Sequence, residues 1–86
     1  MIQVKKFYAA WCGPCKVLTP LMENVKSKFN NVSFEDIDIE VQYEIAQKFH
    51  VRSVPTVIIE KDGKEVQRFT GVQSEMAYIN ALNENL

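Results

Sequence analysis

The 86-residue chain has few residues of the kinds that mark specialised sites: two cysteines, one histidine, and three each of proline and glycine. With only His50 beside the two cysteines, it lacks the four protein ligands of a structural zinc site. Its formal net charge of −1 offers no electrostatic attraction to nucleic acid or to an anionic membrane. No apolar run approaches the roughly 20 residues of a membrane-spanning helix. We therefore expect no metal site, no nucleic-acid partner and no membrane partner.

Length and composition indicate one globular domain over residues 1–86. Hydrophobic residues make up 47% of the chain, which suits a packed core and argues against disorder. Met1 leads straight into a strand pattern, without the basic and apolar regions of a secretory signal peptide. We expect a cytoplasmic protein, because a reducing compartment is the simplest setting for a chain with so few cysteines.

The two cysteines, Cys12 and Cys15, lie in the segment Trp11–Lys16, which reads WCGPCK. A strand pattern precedes this segment and a helical pattern follows it, so Cys12 should lie over the unpaired amides of a helix N-terminus. These amides and the helix dipole favour the thiolate, the nucleophilic form of cysteine. The spacing also lets the sulfurs close a small disulfide ring. We interpret the pair as redox-active, with half of a zinc site as the alternative.

Apolar patterns predict four strands, at Ile2–Tyr8, Val32–Ile39, Thr56–Glu60 and Glu65–Phe69. Apolar residues that recur three and four positions apart predict three helices. The first follows the cysteines, and its inward residues are Val17, Leu18, Leu21, Met22, Val25 and Phe29. The second is marked by Val41, Ile45, Ala46 and Phe49. The third has Ser74 as its N-cap and the inward residues Met76, Ile79, Leu82 and Leu86.

The resulting order, β-α-β-α-β-β-α, predicts an α/β fold with a four-stranded mixed sheet covered by helices on both faces. The first β-α-β unit should be a right-handed crossover, which makes the first two strands parallel. Asp62-Gly63 predicts a hairpin that adds an antiparallel edge. The cysteines then fall at the carboxyl end of a central strand, where open α/β sheets place their sites.

Four features, in order along the chain, match one known family. They are the hexapeptide Trp11–Lys16, the helix-interior Pro20, the tripeptide Val54-Pro55-Thr56, and Asp62-Gly63 followed by Gly71. On these features the chain resembles the thioredoxins over its whole length. The resemblance implies a thioredoxin-like three-layer sandwich and an enzyme that reduces protein disulfides. It also implies no cofactor beyond a Cys12–Cys15 redox disulfide, a monomer, and a thioredoxin reductase or another electron donor.

The position of each cysteine predicts its role. Cys12 is nearest the helix start and should be the more exposed, so we expect it to attack the substrate disulfide. Cys15, one turn into the helix and more buried, should resolve the mixed disulfide. Pro14 suits the first helical position, where its missing N–H is not needed. A glutathione-dependent enzyme of the glutaredoxin type and a structural subunit of a larger enzyme are the alternative functions.

The resemblance places a substrate groove around the cysteines. A cis Pro55 would present the backbone of Val54 for strand-like pairing with a substrate segment; an ordinary trans proline is the alternative. Gly71 has no Cβ, so a substrate backbone can come close to it. The expected substrate-binding residues are Trp11, Gly13, Pro14, Val54, Pro55, Thr70, Gly71 and Val72.

Lys6 departs from the family pattern, in which a buried aspartate lies under the cysteines. Asp36 falls where the family often carries the lysine that neighbours this aspartate. We therefore predict a charge-swapped pair, with Lys6 and Asp36 adjacent on two parallel strands. Lys6 would favour the thiolate of Cys15, and Asp36 or a water that it holds would act as the base. The alternative is that Lys6 extends to water over an uncovered face while Asp36 is a solvated strand residue.

The resemblance begins later than is usual in the family, whose members open with an extra strand and helix. A trimmed chain of this kind should expose part of one sheet face and one sheet edge. We expect Lys5 and Lys6 to lie there, since charge blunts an exposed edge or face.

Overall fold

The computed structural model describes residues 1–86 and has seven elements in the predicted order. The strands are β1 (Ile2–Tyr8), β2 (Val32–Asp38), β3 (Thr56–Lys61) and β4 (Lys64–Thr70). The helices are α1 (Gly13–Lys26), α2 (Tyr43–Lys48) and α3 (Glu75–Asn85). Each predicted strand agrees with these bounds to within one residue at either end. None of the helices combines the length and the apolar character that crossing a bilayer requires.

The strands form one mixed sheet in the order β2-β1-β3-β4. β1 pairs with β2 in parallel and with β3 antiparallel, and β3 pairs antiparallel with β4. Asp62 and Gly63 join β3 to β4 with positive φ angles of 52° and 82°, as two-residue hairpin turns prefer. The α/β class, the mixed sheet and the parallel first crossover are thereby confirmed.

The main core lies between the sheet and the helices α1 and α3. Ser74 caps α3 as predicted, because its hydroxyl accepts a hydrogen bond from the amide of Ala77. The inward residues of α3 are Tyr78, Ala81 and Leu82. Met76 and Leu86 are exposed, contrary to expectation. Met76 is carried to the outer side by the helical rotation, and Leu86 lies beyond the last helical residue.

Two exposed valines differ from the positions predicted for them in the first two helices. Val17 precedes the fully buried Leu18 in α1 and is turned about 100° away from it, into solvent. Val41 lies before the start of α2 and is also exposed. Apolar spacing alone cannot show which of two neighbouring residues faces the sheet.

A smaller core lies on the other face of the sheet, under α2. Its buried residues are Phe7, Ile37, Ala46 and Ile58. Because α2 has only six residues, it covers only part of this face. An open depression of about 370 Å³ lies beside it, and its lining includes Lys5, Glu35 and Glu60.

Lys5 and Lys6 project from opposite faces of the sheet, because side chains alternate along a strand. β1 is an inner strand, so neither lysine blunts a sheet edge. Lys6 is buried on the α1 face, so the predicted exposed position is wrong for it. Lys5 does lie on the incompletely covered α2 face, but there it is partly buried and forms an ion pair with Glu60.

The Lys5–Glu60 pair is a polar centre inside the α2 face. The Lys5 ammonium donates hydrogen bonds to Glu60 and, at 2.9 Å, to Oε1 of Gln3. It also lies 5.5 Å from the ring centroid of Phe49. Since both charged side chains are largely removed from water, each depends on the other to offset its lost solvation.

We predict that Glu60→Leu alone lowers the free energy of unfolding by about 3 kcal/mol, because it leaves a buried ammonium without its counter-charge. The double variant Lys5→Met/Glu60→Leu should recover most of this loss, because both charges are then removed. Urea unfolding measures both, with the exposed Glu84→Gln as the control. A double variant no more stable than Glu60→Leu would contradict this account.

Candidate functional site

The sheet topology brings three chain segments to one end of the molecule. β1 leads into Cys12 at its carboxyl end, and the antiparallel β3 begins at the same end, just after Pro55. Thr56 at the start of β3 pairs with Thr70 at the end of β4, which places Gly71 beside Pro55. Residues far apart in sequence therefore meet around the cysteines.

Cys12 and Cys15 are joined by a disulfide at the start of α1, with their Cα atoms 5.3 Å apart. Cys12 is the N-cap in an extended conformation, and its Sγ accepts a hydrogen bond from the amide of Cys15 at 3.2 Å. Gly13 and Pro14 follow as the first two helical residues, so Pro14 lies one position later than predicted. The Cys12 sulfur thus takes the place of a capping oxygen at the positive end of the helix dipole.

The prediction that Cys12 is more exposed than Cys15 is wrong for the disulfide form. Cys12 is 3% exposed and Cys15 is 4% exposed, so neither is the more accessible residue in the disulfide form. Ala9 belongs to the same buried cluster as the two cysteines, and Tyr8, Ile39 and Val54 pack against this cluster. Accessibility therefore does not separate the two roles, and the difference between them rests on the helix-cap position of Cys12.

The loop before β3 is fixed by backbone hydrogen bonds. The Val54–Pro55 peptide bond is cis, and Pro55 is buried. The amide of Gly71 donates to the carbonyl of Pro55 at 2.9 Å, and Gly71 has a φ of +81°. A Cβ at Gly71 would meet nothing within 4 Å, so the requirement for glycine there comes from the backbone angle.

The other predicted rim residues differ in exposure. Trp11 is 66% exposed, and Thr70 is also exposed. Val54 packs against the cluster of Ala9 and the two cysteines, whereas Val72 packs against the main core. Ile39, which sequence reasoning did not select, packs against the same cluster as Val54, and its amide donates to the carbonyl of Tyr8 at 2.9 Å. The sequence feature that could have identified Ile39 is its position just after β2, at the carboxyl end of that strand.

Lys6 and Asp36 are register partners on β1 and β2, and their side chains form an ion pair. Lys6 Nζ lies 3.7 Å from Asp36 Oδ1. The environments are unequal, since the Lys6 side chain is 9% exposed and that of Asp36 is 61% exposed. Nζ of Lys6 also donates to the hydroxyl of Thr19, at 3.3 Å. The ammonium is therefore buried under α1, while the carboxylate stands at the solvent boundary.

Metal-binding residue types are not grouped in this fold. No three side chains of the types His, Cys, Asp and Glu lie together in an arrangement that could hold an ion. His50 lies just beyond α2 with a φ of +56°, and its carbonyl accepts from Arg68. Its position is that of a helix-terminating residue.

Comparison with known proteins identifies the class. The thioredoxin family model matches residues 2–84. Thioredoxin from Chlamydia caviae is 38% identical over 79 residues, which cover 92% of this chain and 78% of that protein.

Two solved structures have the same fold. Thioredoxin from Fasciola hepatica superimposes with a TM-score of 0.91 at 34% identity, over 99% of this chain and 81% of that one. The other structure concerns the thiol-resolving mechanism of yeast mitochondrial 1-Cys peroxiredoxin via the glutathione and thioredoxin systems. A chain in it matches with a TM-score of 0.90 at 28% identity, over 96% of this chain and 77% of that one.

The chain therefore belongs to the thioredoxin family. With Cys12 and Cys15 paired at the start of α1, it is a dithiol thiol–disulfide oxidoreductase that acts on protein disulfides.

We predict that Gly71→Ala lowers the free energy of unfolding by about 1–2 kcal/mol, because an L-residue is strained at this positive φ. Gly13→Ala is the matched control, since Gly13 also has open space around it but has no positive φ. Thermal or urea unfolding compares the two. Equal effects at both positions would show that the angle at Gly71 is not what requires glycine.

Proposed function

We propose that Cys12 attacks the substrate disulfide and that Cys15 resolves the intermediate. The Cys12 thiolate displaces one substrate sulfur, which takes up a proton, and a bond forms between Cys12 and the other substrate sulfur. The Cys15 thiolate then attacks Sγ of Cys12, closes the Cys12–Cys15 disulfide and releases the second substrate sulfur, which is also protonated. The substrate gains two electrons and two protons, and the chain loses them.

The hydrogen bond from the Cys15 amide to Cys12 Sγ carries this assignment. A negative charge on Cys12 would lie at the positive end of the α1 dipole and keep a backbone donor. Cys15 is three residues further into the helix and has no such position. The proposal therefore stands on electrostatics, since the two residues are equally buried.

The substrate would bind across the end of the sheet that holds the cysteines. The exposed Trp11 ring supplies apolar contact area, and the turn at Gly13 and Pro14 leaves the approach open. Val54 would pair its backbone with an extended substrate segment beside Pro55, in the manner of an added strand. Thr70, Gly71, Val72 and Ile39 would complete the rim.

The partners of this reaction are proteins with accessible disulfides. A structural neighbour concerns a peroxiredoxin resolved through the thioredoxin system, and a disulfide of that kind is a suitable substrate. A thioredoxin reductase or another electron donor would restore the dithiol. We propose that the protein is a monomer that takes part in electron transport. We also propose that it is cytoplasmic, because a lone reactive cysteine pair suits a reducing compartment.

Substitution of single cysteines tests the two roles. We predict that Cys15→Ser accumulates a mixed disulfide with insulin, because the attack by Cys12 proceeds and the resolving step is lost. Cys12→Ser should accumulate none. Non-reducing electrophoresis and the mass of the adduct measure both variants. Capture by Cys12→Ser instead would reverse the assignment.

We further propose that Lys6 and Asp36 assist the resolving step. The Lys6 ammonium, held under α1 on the cysteine side of the sheet, would favour the thiolate of Cys15. The more exposed Asp36, or a water that it holds, would accept the thiol proton and pass it to solvent. The ion pair across β1 and β2 supports this arrangement, with the carboxylate one strand away from the lysine.

Charge exchange tests the proposed role of the pair. Lys6→Asp and Asp36→Lys should each slow insulin reduction in the presence of dithiothreitol by roughly tenfold. This is less than the roughly 10²- to 10⁴-fold contribution typical of a general acid or base, because solvent water can still accept the thiol proton. The double exchange should restore most of the rate, because it returns opposite charges to the same two strands. Glu84→Lys, an exposed charge reversal on α3, serves as the control. A rate that stays unchanged in all three variants would show that the pair takes no part in the resolving step.

A further inference from the structure

The buried Lys6 ammonium depends on one hydroxyl for its hydrogen bonding within the protein. Asp36 Oδ1 lies 3.7 Å from Nζ, which is an ion-pair distance but longer than a hydrogen bond. The acceptor within hydrogen-bond distance is Thr19 Oγ1, at 3.3 Å. This hydroxyl is therefore the hydrogen-bond acceptor that the protein offers to the ammonium under α1.

Thr19 also contacts the cysteine turn. Its hydroxyl donates to the carbonyl of Cys15 at 3.1 Å, one helical turn earlier. A hydroxyl has one donor and two acceptor positions, so it can serve Cys15 and Lys6 at the same time. The result is a short chain from the ammonium through Thr19 to the backbone of the resolving cysteine.

A small cavity and an open depression share Thr19 in their linings. One, of about 80 Å³, is lined by Lys6, Asp36 and Thr19 and is large enough for water. The other, of about 210 Å³, is lined by Cys15, Lys16 and Thr19 among others. Thr19 is the residue common to both linings. It stands between the charged pair and the cysteine.

We propose that Thr19 is a positioning residue for disulfide exchange: its hydroxyl holds the Lys6 ammonium toward Cys15 and so promotes the thiolate that resolves the mixed disulfide. This inference rests on the proposed role of Lys6. Without the hydroxyl, the attraction of Asp36 draws the ammonium toward β2 and solvent. The thiol proton passes from Cys15 to Asp36, or to the water that it holds, and on to solvent in either case, but at neutral pH fewer Cys15 side chains are ionised.

Other charges face the same space and set the background for this effect. Around Lys6 they are Glu23 and Lys26 of α1 and Glu35 and Asp36 of β2. Beside Cys15 the charged and titratable groups are Lys16, the phenol of Tyr8 and, in the reduced chain, the thiol of Cys12. None of these groups is removed by a change at Thr19, so such a change isolates the placement of Lys6.

The test is an NMR titration of the Cys15 thiol in the reduced full chain, with stopped-flow measurement of mixed-disulfide resolution at neutral pH. Thr19→Val removes the hydroxyl and keeps the shape, while Thr19→Ser keeps the hydroxyl. We expect Thr19→Val to move the Cys15 midpoint upward by roughly half a pH unit and to slow resolution about threefold. Thr19→Ser should match the parent. Thermal unfolding checks that each variant is folded, and Thr19→Ala replaces the valine variant if that one does not fold.

A Lys6→Met background separates the possible causes. We expect Thr19→Val to have no further effect there, because the charge that it positions is gone. If Lys6→Met shifts Cys15 and Thr19→Val does not, the role of Thr19 is wrong while that of Lys6 stands. If Lys6→Met shifts nothing, the proposed role of Lys6 fails and the role of Thr19 fails with it. An equal effect of Thr19→Val in both backgrounds would mean that it acts on the helix and not through Lys6, which would overturn the proposal.

Discussion

The parallel pairing of β1 with β2 determines where the residues of the site lie. It requires a crossover through α1, which covers one face of the sheet and begins at the carboxyl end of β1. Cys12 therefore caps a helix at the same end of the sheet where the antiparallel β3 starts after Pro55. The same register sets Lys6 opposite Asp36. A change in this pairing would separate the cysteines from the loops that surround them and would also break the ion pair.

Lys5 and Lys6 lie on opposite faces of β1 and form ion pairs in different environments. Lys5 meets Glu60 in a pair whose two members are both largely buried, on a face that the short α2 covers incompletely. Lys6 meets a carboxylate that remains in contact with solvent, on the face that carries the cysteines. The first pair satisfies charges within the fold. In the second pair the carboxylate is exposed, and its proposed part in proton transfer depends on that exposure.

Much of this arrangement could be predicted from the sequence, because the strand and helix patterns, the Asp62-Gly63 turn and the Ser74 cap are local signals. The cysteine pair followed from its motif at a strand–helix junction, and the Lys6–Asp36 pairing followed from the departure from the thioredoxin pattern at these two positions. Other features depend on tertiary packing, which local patterns do not contain. Three features of this kind are visible only in the folded chain. They are the near-equal burial of the cysteines, the burial of the Glu60 side chain beside Lys5, and the contact of Thr19 with Lys6.

The central claim is that the helix cap, and not accessibility, makes Cys12 the attacking sulfur. Alkylation of the reduced protein with iodoacetamide across a range of pH, with each modified cysteine identified by mass spectrometry, tests it most directly. If the helix cap governs reactivity, Cys12 reacts first, with a midpoint clearly below the value of about 8.5 of an ordinary thiol, and Cys15 reacts more slowly. Faster reaction at Cys15, or a midpoint of about 8.5 at both residues, would contradict it.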